Sequence, residues 1–152
     1  MKTLARPRDK AEILNRLSSV TLSSERRWGR MTAGEMICHL ADACRMAMGD
    51  KPVSGVSSLT QRTVVKWVAF YLPRPWPKGV LVTVPEIGAG TGGTAPGAFS
   101  GDVAELVRII DRFTASDAVG WPAHPVFGRL SRREWMRWGY LHTDHHLRQF
   151  GA

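Results

Sequence analysis

The chain has 152 residues, of which 43% are hydrophobic and 22% are charged, and its formal net charge is +8. This length suits one domain, and the composition is that of a globular protein, which excludes a disordered or fibrous chain. The basic residues are scattered as singles and short pairs such as Arg26-Arg27, so nucleic-acid binding is not expected. No stretch approaches the ~18 apolar residues of a membrane-spanning helix, and no apolar signal segment opens the chain. We therefore expect one cytoplasmic domain over residues 1–152.

The two cysteines, Cys38 and Cys44, are predicted to be reduced thiols. They lie six residues apart on one predicted helix, which separates their Cα atoms by ~9 Å at 1.5 Å per residue, too far for a disulfide. A metal-thiolate role for Cys38 beside His39 is disfavoured, because adjacent helical residues diverge by ~100°. A small buried apolar role is the better interpretation for Cys38.

The first two helices are predicted from apolar periodicity and capping signals. The window "RDKAEILNRLSSV" carries apolar residues at helical spacing and predicts a first helix. The window "MTAGEMICHLADACRMAMG" opens with Thr32 and Glu35, a capping box that satisfies free N–H groups, and ends at Gly49. Its apolar residues cover so wide a face that this second helix should be largely buried.

A long connection follows the second helix. "SLTQRTVVKWVAFYL" could form an extra helix or, given its β-branched and aromatic residues, a strand. From Pro73 to Gly101 the chain carries five prolines and seven glycines, and only "VLVTV" looks extended. We therefore expect an irregular Gly/Pro-rich crossover, and loops of this length are often functional.

Two further helices complete an all-α fold. "DVAELVRIIDRFTASD" has helical spacing, with Asp102 and Glu105 as its start signal. Ser131 and Glu134 form a second capping box, and the last helix should run from there to about Phe150. Strand alternation is nearly absent, so we predict four core helices with a long crossover between the second and third.

Three of the five histidines lie in the last helix, on the face that should point inward. At ~100° per residue one stripe collects five side chains, and His145 lies at its edge. The stripe consists of Trp135, Trp138, His142, His146 and Gln149. Arginines and Asp144 occupy the opposite face, so the histidines take positions where a bundle normally places leucine.

The spacing of these histidines is typical of a metal site. Residues i and i+4 have Cβ atoms ~6 Å apart, so His142 and His146 could bind one ion, although His142 and His145 also fit. A third ligand must come from another element, either His39 at the border of the buried face of the second helix or His124. Trp135 and Trp138 are more typical of core packing than of a substrate-binding wall.

Two stretches, "WGRMTAGEMICHLADA" and "HPVFGRLSRREWMRWGYLHTDHHLRQFG", resemble the DinB-like superfamily of metal-binding four-helix bundles, and most closely a small bacterial branch of it with no assigned function. The resemblance implies that His39, His142 and His146 hold one divalent ion, often nickel or zinc, with open positions for water or substrate. The pattern ends at Gln149, which we place beside the site with Trp138. It leaves His145 outside the triad.

The predicted function is a metal-dependent enzyme, either a transferase or a hydrolase. The ion would acidify a bound water or thiol to give a nucleophile. Some members of the superfamily that this chain resembles are thiol-dependent transferases. We therefore favour addition of a low-molecular-weight thiol to a small electrophile, with His145 or His124 as proton carriers. Hydrolysis is the first alternative, and a non-catalytic binding or stress-response module is the second.

The expected partners are a small-molecule substrate and the thiol, without a membrane. A homodimer is left open by the sequence. The connection from Pro73 to Gly101 is predicted to lie over the open end of the metal site as a lid. A surface excursion remote from the site is the alternative for this segment.

Overall fold

The protein is described by a computed structural model, and its described part is all-helical. The described residues are 1–55, 58–72, 74–78, 84–116 and 121–152. Within these ranges there are five α-helices and no β-strand. The helices are α1 Pro7–Ser18, α2 Ala33–Met48, α3 Lys66–Tyr71, α4 Phe99–Ala115 and α5 Arg132–Gln149. None of the helices in these ranges is long and apolar enough to cross a bilayer.

The predicted capping boxes set the starts of the two helices that matter most for the site. Thr32 Oγ1 accepts a hydrogen bond from Glu35 N at 3.3 Å, and the Glu35 carboxylate accepts one from Thr32 N at 2.7 Å. The same reciprocal pair forms between Ser131 and Glu134 at the start of α5. Gly49 ends α2 in the left-handed region, at φ 84°. These local predictions are confirmed.

The start predicted for α4 is wrong by three residues. The helix begins at Phe99, whereas the acidic residues had placed its start at Asp102. Asp102 Oδ2 accepts a hydrogen bond from Gly97 N at 2.8 Å, so this carboxylate binds the chain just before the helix. An acidic residue in the first turn therefore satisfies a free N–H group without being the N-cap residue itself.

The connection between α2 and α4 contains more helix than its composition predicts. A π-helical turn, Gln61–Val65, runs directly into α3, so the helical alternative for "SLTQRTVVKWVAFYL" is confirmed. A 3₁₀ turn follows at Pro85–Ile87. The extended segment predicted at "VLVTV" lies outside the described residues, except for the buried Val84.

Helix α2 is the central element of the packing. It packs along α4 and against α5, while α1 and α3 also pack against α5. Nearly every residue of α2 is buried, including the polar His39 and Asp42. Buried apolar residues of α1, α2, α4 and α5 join one core, which includes Ile13, Ile37, Ile110 and Trp135. His39 and Asp42 therefore face the protein interior and must find polar partners there.

Asp42 uses its buried carboxylate to fix the crossover against α2. It accepts hydrogen bonds from Thr94 N at 2.7 Å and Thr94 Oγ1 at 2.8 Å, and it pairs with Lys51 at 2.6 Å and Arg45 at 3.0 Å. Burial raises the pKa of Asp42, but the hydrogen bonds from Lys51 and Thr94 outweigh burial and hold this pKa below its ordinary value. The ionised carboxylate thus ties the segment around Thr94 to the helix that carries His39.

The substitution Asp42→Asn should lower the free energy of unfolding by about 2 kcal/mol at pH 7, measured by urea denaturation, because charged hydrogen bonds to Thr94 and Lys51 are lost. The folded-state pKa of Asp42 is lowered, so its stabilisation is present above the unfolded pKa of ~3.9 and is lost as the pH falls through the folded value. The difference between the variant and the original chain should therefore shrink in acid.

The matched control for this measurement is Asp50→Asn, since Asp50 makes an exposed ion pair with Arg112. Exposed pairs contribute little, so this variant should change the free energy of unfolding by less than about 1 kcal/mol. Equal losses in the two variants would contradict the assigned role of Asp42.

Candidate metal centre

Three histidines from two helices converge on one point. His39 projects from α2, and His142 and His146 project from α5. One nitrogen from each ring lies within 4.8 Å of the others, and Nε2 of His39 is 3.2 Å from Nε2 of His142. Two nitrogens bound to one ion at ~2.1 Å are separated by roughly 3.0 to 3.4 Å at octahedral or tetrahedral angles. The His39–His142 pair therefore has the spacing of two ligands on one ion, and His146 offers a third nitrogen within 4.8 Å.

Hydrogen bonds fix which nitrogen of two rings faces the cluster. His39 Nδ1 lies 2.7 Å from Ile87 O, and a carbonyl only accepts, so Nδ1 carries the proton. Gln149 Nε2 donates to Trp28 O at 2.7 Å, which turns the amide oxygen of Gln149 towards His146 Nδ1 at 2.9 Å. His146 Nδ1 is therefore also a donor. Both rings leave an unprotonated Nε2, the form in which imidazole binds a metal.

The third ring, His142, presents the opposite tautomer to the cluster. Because Nε2 of His39 carries no proton, the 3.2 Å contact requires His142 Nε2 to donate to it. A divalent ion would bind His142 Nε2 once this neutral ring changes tautomer and carries its proton on Nδ1. The residues present therefore fit a divalent ion.

Burial keeps these three rings neutral. Desolvation lowers the pKa of His39, and it lowers the pKa of His142 and His146 well below the ordinary value. The neighbouring imidazoles lower the pKa values of His142 and His146 further. Neutral imidazole is the form that a metal ligand needs, so the site is prepared for an ion at neutral pH.

The cluster lies in the wall of a cavity of about 600 Å³. All five histidines of the chain line this cavity, and most of the remaining lining is apolar or aromatic. Typical apolar lining residues are Trp28, Val68, Leu72, Trp76, Phe127 and Trp138. No aspartate or glutamate is found among the described residues of the lining. A cavity of this size suits a small organic molecule.

Two residues that the sequence places beside the site contact the cluster directly. Trp138 stacks on His142, with ring centroids 4.8 Å apart and planes 18° from parallel. Gln149 holds His146 through the hydrogen bond described above. Trp135 is fully buried and packs edge-on against Trp138, which agrees with a core role.

His145 lies next to the cluster but does not join it. Its ring packs near Trp28 at 6.0 Å and Trp76 at 6.3 Å, and it lines the cavity. Its Nδ1 atom is buried and has no hydrogen-bond partner among the described residues. A catalytic role for His145 stays a prediction.

His124 is a separate case, because the structure assigns its Nδ1 atom a structural role. Nδ1 accepts hydrogen bonds from Val126 N at 3.1 Å and Phe127 N at 3.2 Å, inside a turn closed by a backbone bridge to Gly128. Burial lowers the pKa of His124 to about 3, so the ring is neutral and its proton is on Nε2. His124 lines the cavity but lies outside the three-histidine cluster, and His39 takes the third position.

Loop residues supply contacts that periodicity could not reveal. Ile87 O and Trp28 O orient two of the rings, and both come from irregular segments. Trp76 packs 6.4 Å from His142 and donates to Ala69 O at 2.8 Å. The sequence feature that could have indicated a role for Trp76 near the site is its position as an aromatic residue between prolines, in "PRPWP". Parts of the connection from Pro73 to Gly101 therefore line the cavity, while the movement of a lid stays a prediction.

The cysteines lie outside the cluster. Cys38 and Cys44 are both free and buried, as the sequence predicts. Burial raises the pKa of the Cys38 thiol to about 11 and that of Cys44 to about 12. Neither sulfur is an available thiolate at neutral pH.

Comparison with known proteins gives one match. A family model described as "Protein of unknown function (DUF1569)" matches residues 6–152. No curated protein and no solved structure matches the chain. The family match covers all three clustered histidines but names no activity.

The substitution Gly29→Ala should lower zinc affinity by about 10- to 100-fold, measured by competition with a chelating dye. Gly29 has φ 82°, and a Cβ atom there would lie 2.2 Å from Gln149 Nε2. The amide would be displaced, and His146 would lose the acceptor that fixes its ring.

Gly49→Ala is the matched control, since Gly49 has φ 84° and no described atom lies within 4 Å of the position that a Cβ atom would take there. Both variants should lose about 1 to 2 kcal/mol of stability from the left-handed backbone. Only Gly29→Ala should weaken zinc binding. Equal zinc affinities in the two variants would show that Gly29 and Gln149 do not stabilise the metal site.

Proposed function

The chain belongs to the DUF1569 family, and we propose that it is a metal-dependent enzyme in which His39, His142 and His146 hold one divalent ion, nickel or zinc. The observation that carries this proposal is the convergence of three neutral imidazoles in the wall of an apolar cavity, with two of them oriented by hydrogen bonds. When bound, the ion supplies Lewis acidity that makes a water or thiol nucleophilic at neutral pH.

The number of ligands favours an enzyme over a non-catalytic module. Structural zinc sites are usually closed by four protein ligands, whereas catalytic sites keep three and leave a position open. Among the described residues no cysteine or carboxylate joins the three histidines. The open side of such a centre would face the cavity, where a substrate can bind.

The proposed reaction is transfer of a low-molecular-weight thiol to a small electrophile. The thiol must come from outside the chain, because Cys38 and Cys44 are buried with raised pKa values. The described cavity lining has no carboxylate to repel an anionic sulfur, and its aromatic walls exclude water. Trp138 and Gln149 hold His142 and His146 in place. His145 and His124 are the proposed proton carriers, and His145 is favoured because Nδ1 of His124 already accepts two hydrogen bonds.

Hydrolysis is the second candidate reaction, since the same three-histidine cluster serves either chemistry.

We also propose that α1, α2, α4 and α5 form a DinB-like four-helix bundle. The pairwise packing of α2 with α4 and α5, and of α1 with α5, supports that arrangement. A cytoplasmic location and a homodimer stay predictions.

Tag-free protein should contain about one divalent ion per chain, measured by elemental analysis after gel filtration. His39→Ala, His142→Ala and His146→Ala should each lose the ion, because two remaining imidazoles bind weakly. His145→Ala is the control and should keep it, since His145 lies outside the cluster. Full retention of the ion in one of the three variants would remove that residue from the ligand set.

Incubation with small electrophiles and a panel of low-molecular-weight thiols should give thiol consumption that requires the ion and is abolished in His142→Ala. Circular dichroism should show that the variant stays folded, because the apolar core does not include His142. Metal-dependent ester or amide hydrolysis without thiol consumption would replace transfer by hydrolysis. An ion-loaded protein with neither activity would support the non-catalytic module.

A further inference from the structure

The cavity beside the histidine cluster has two chemically distinct parts. Its walls are aliphatic and aromatic, and they include Val68, Leu72, Trp76 and Phe127. Its charged lining residues are arginines, Arg30 and Arg74, and both are exposed. A side chain that lines a cavity and is also exposed to solvent lies at the opening. The cavity therefore has an apolar interior and a positively charged mouth.

The two mouth arginines have no acidic partner among the described residues. Neither Arg30 nor Arg74 makes a hydrogen bond or ion pair with another described residue. Several other arginines are paired with carboxylates, namely Arg16, Arg45, Arg108, Arg112 and Arg148. An unpaired guanidinium keeps its planar set of donors free, and this geometry matches a carboxylate.

A third positive charge lies beside one residue of the cavity lining. Lys78 is placed over the ring of Trp28, 4.6 Å from its centroid, and Trp28 lines the cavity. No described lining residue is acidic, so nothing in the lining offsets these charges. The local field at the mouth favours an anion and disfavours a cation.

We propose that the substrate of this cavity is a small apolar or aromatic molecule that carries one carboxylate, which Arg30 and Arg74 bind at the mouth. The apolar body fills the space between Trp76, Phe127 and Val68, where desolvation of hydrophobic surface favours binding. The far end of the molecule then reaches the histidine cluster. This inference rests on the proposed function, because it names the substrate class of the same site.

A carboxylated thiol offers the same anionic group, but its chemistry fits the cavity less well. A peptide thiol such as glutathione carries several charges and amides that would lose their hydration in the apolar interior without gaining partners. An apolar monocarboxylate leaves only one charged group to satisfy, at the solvent-exposed mouth. The apolar walls therefore assign the arginines to the substrate.

The test compares 2-naphthylacetate with 2-naphthylacetamide by isothermal titration calorimetry. The two probes share the apolar body and differ in the charge of the end group. The carboxylate should bind about tenfold more tightly than the amide, the effect of a charged hydrogen bond at a partly exposed site. In the double variant R30Q/R74Q this preference should fall to within about twofold, while the affinity for the amide stays unchanged.

Arg133→Gln is the matched control, because Arg133 is an exposed arginine of α5 that does not line the cavity. It should leave the preference for the carboxylate intact. Equal binding of the two probes, or a preference that survives in R30Q/R74Q, would overturn the proposal. So would the absence of binding by both probes. Displacement of 2-naphthylacetate by equimolar glutathione would assign the arginines to the thiol and also overturn it.

Titrating both chelator-treated and zinc-loaded protein separates this inference from the proposed function. A carboxylate can bind zinc directly, so the preference must be present in the chelator-treated protein to be assigned to the arginines. A preference for the carboxylate in a protein that fails to take up zinc would support the inference and contradict the proposed metal centre. Uptake of zinc by a protein without this preference would support the metal centre and contradict the inference.

Discussion

Burying three imidazoles at one point is the constraint on which the rest of the structure depends. A buried polar ring needs a hydrogen-bond partner for its N–H group, and two rings that face a common centre must find that partner behind them. His39 finds it in Ile87 O, from the crossover, and His146 finds it in Gln149, which is itself held by Trp28 O. Helices α2 and α5 supply the rings, and irregular segments supply their orientation.

The irregular segments are therefore part of the site and are fixed like parts of a core. Asp42 ties the crossover to α2 at Thr94, one helical turn from His39, and Ile87 lies in a 3₁₀ turn of the same crossover. Gly29 allows the preceding loop to approach Gln149 closely enough for the amide to bond to it. Stability of these loops and orientation of the rings depend on the same contacts.

The sequence predicts those parts of the site whose signals are local. A capping box is complete within four residues, so the starts of α2 and α5 follow directly from Thr32 and Ser131. The spacing of His142 and His146 likewise follows from helix geometry. The contact of Ile87 with His39 spans 48 positions and uses a backbone atom, so no side-chain pattern reports it. Asp102 misplaced the start of α4 because an acidic first turn does not identify the N-cap residue.

The buried cysteines have a consequence for redox behaviour. Burial raises the pKa of the Cys38 thiol to about 11 and that of Cys44 to about 12, so both thiols stay protonated at pH 7. Oxidants and alkylating reagents act on the thiolate, so both sulfurs should survive peroxide and electrophile exposure while the chain is folded. A protein that handles reactive electrophiles in its cavity would thus be spared modification of its own sulfur atoms.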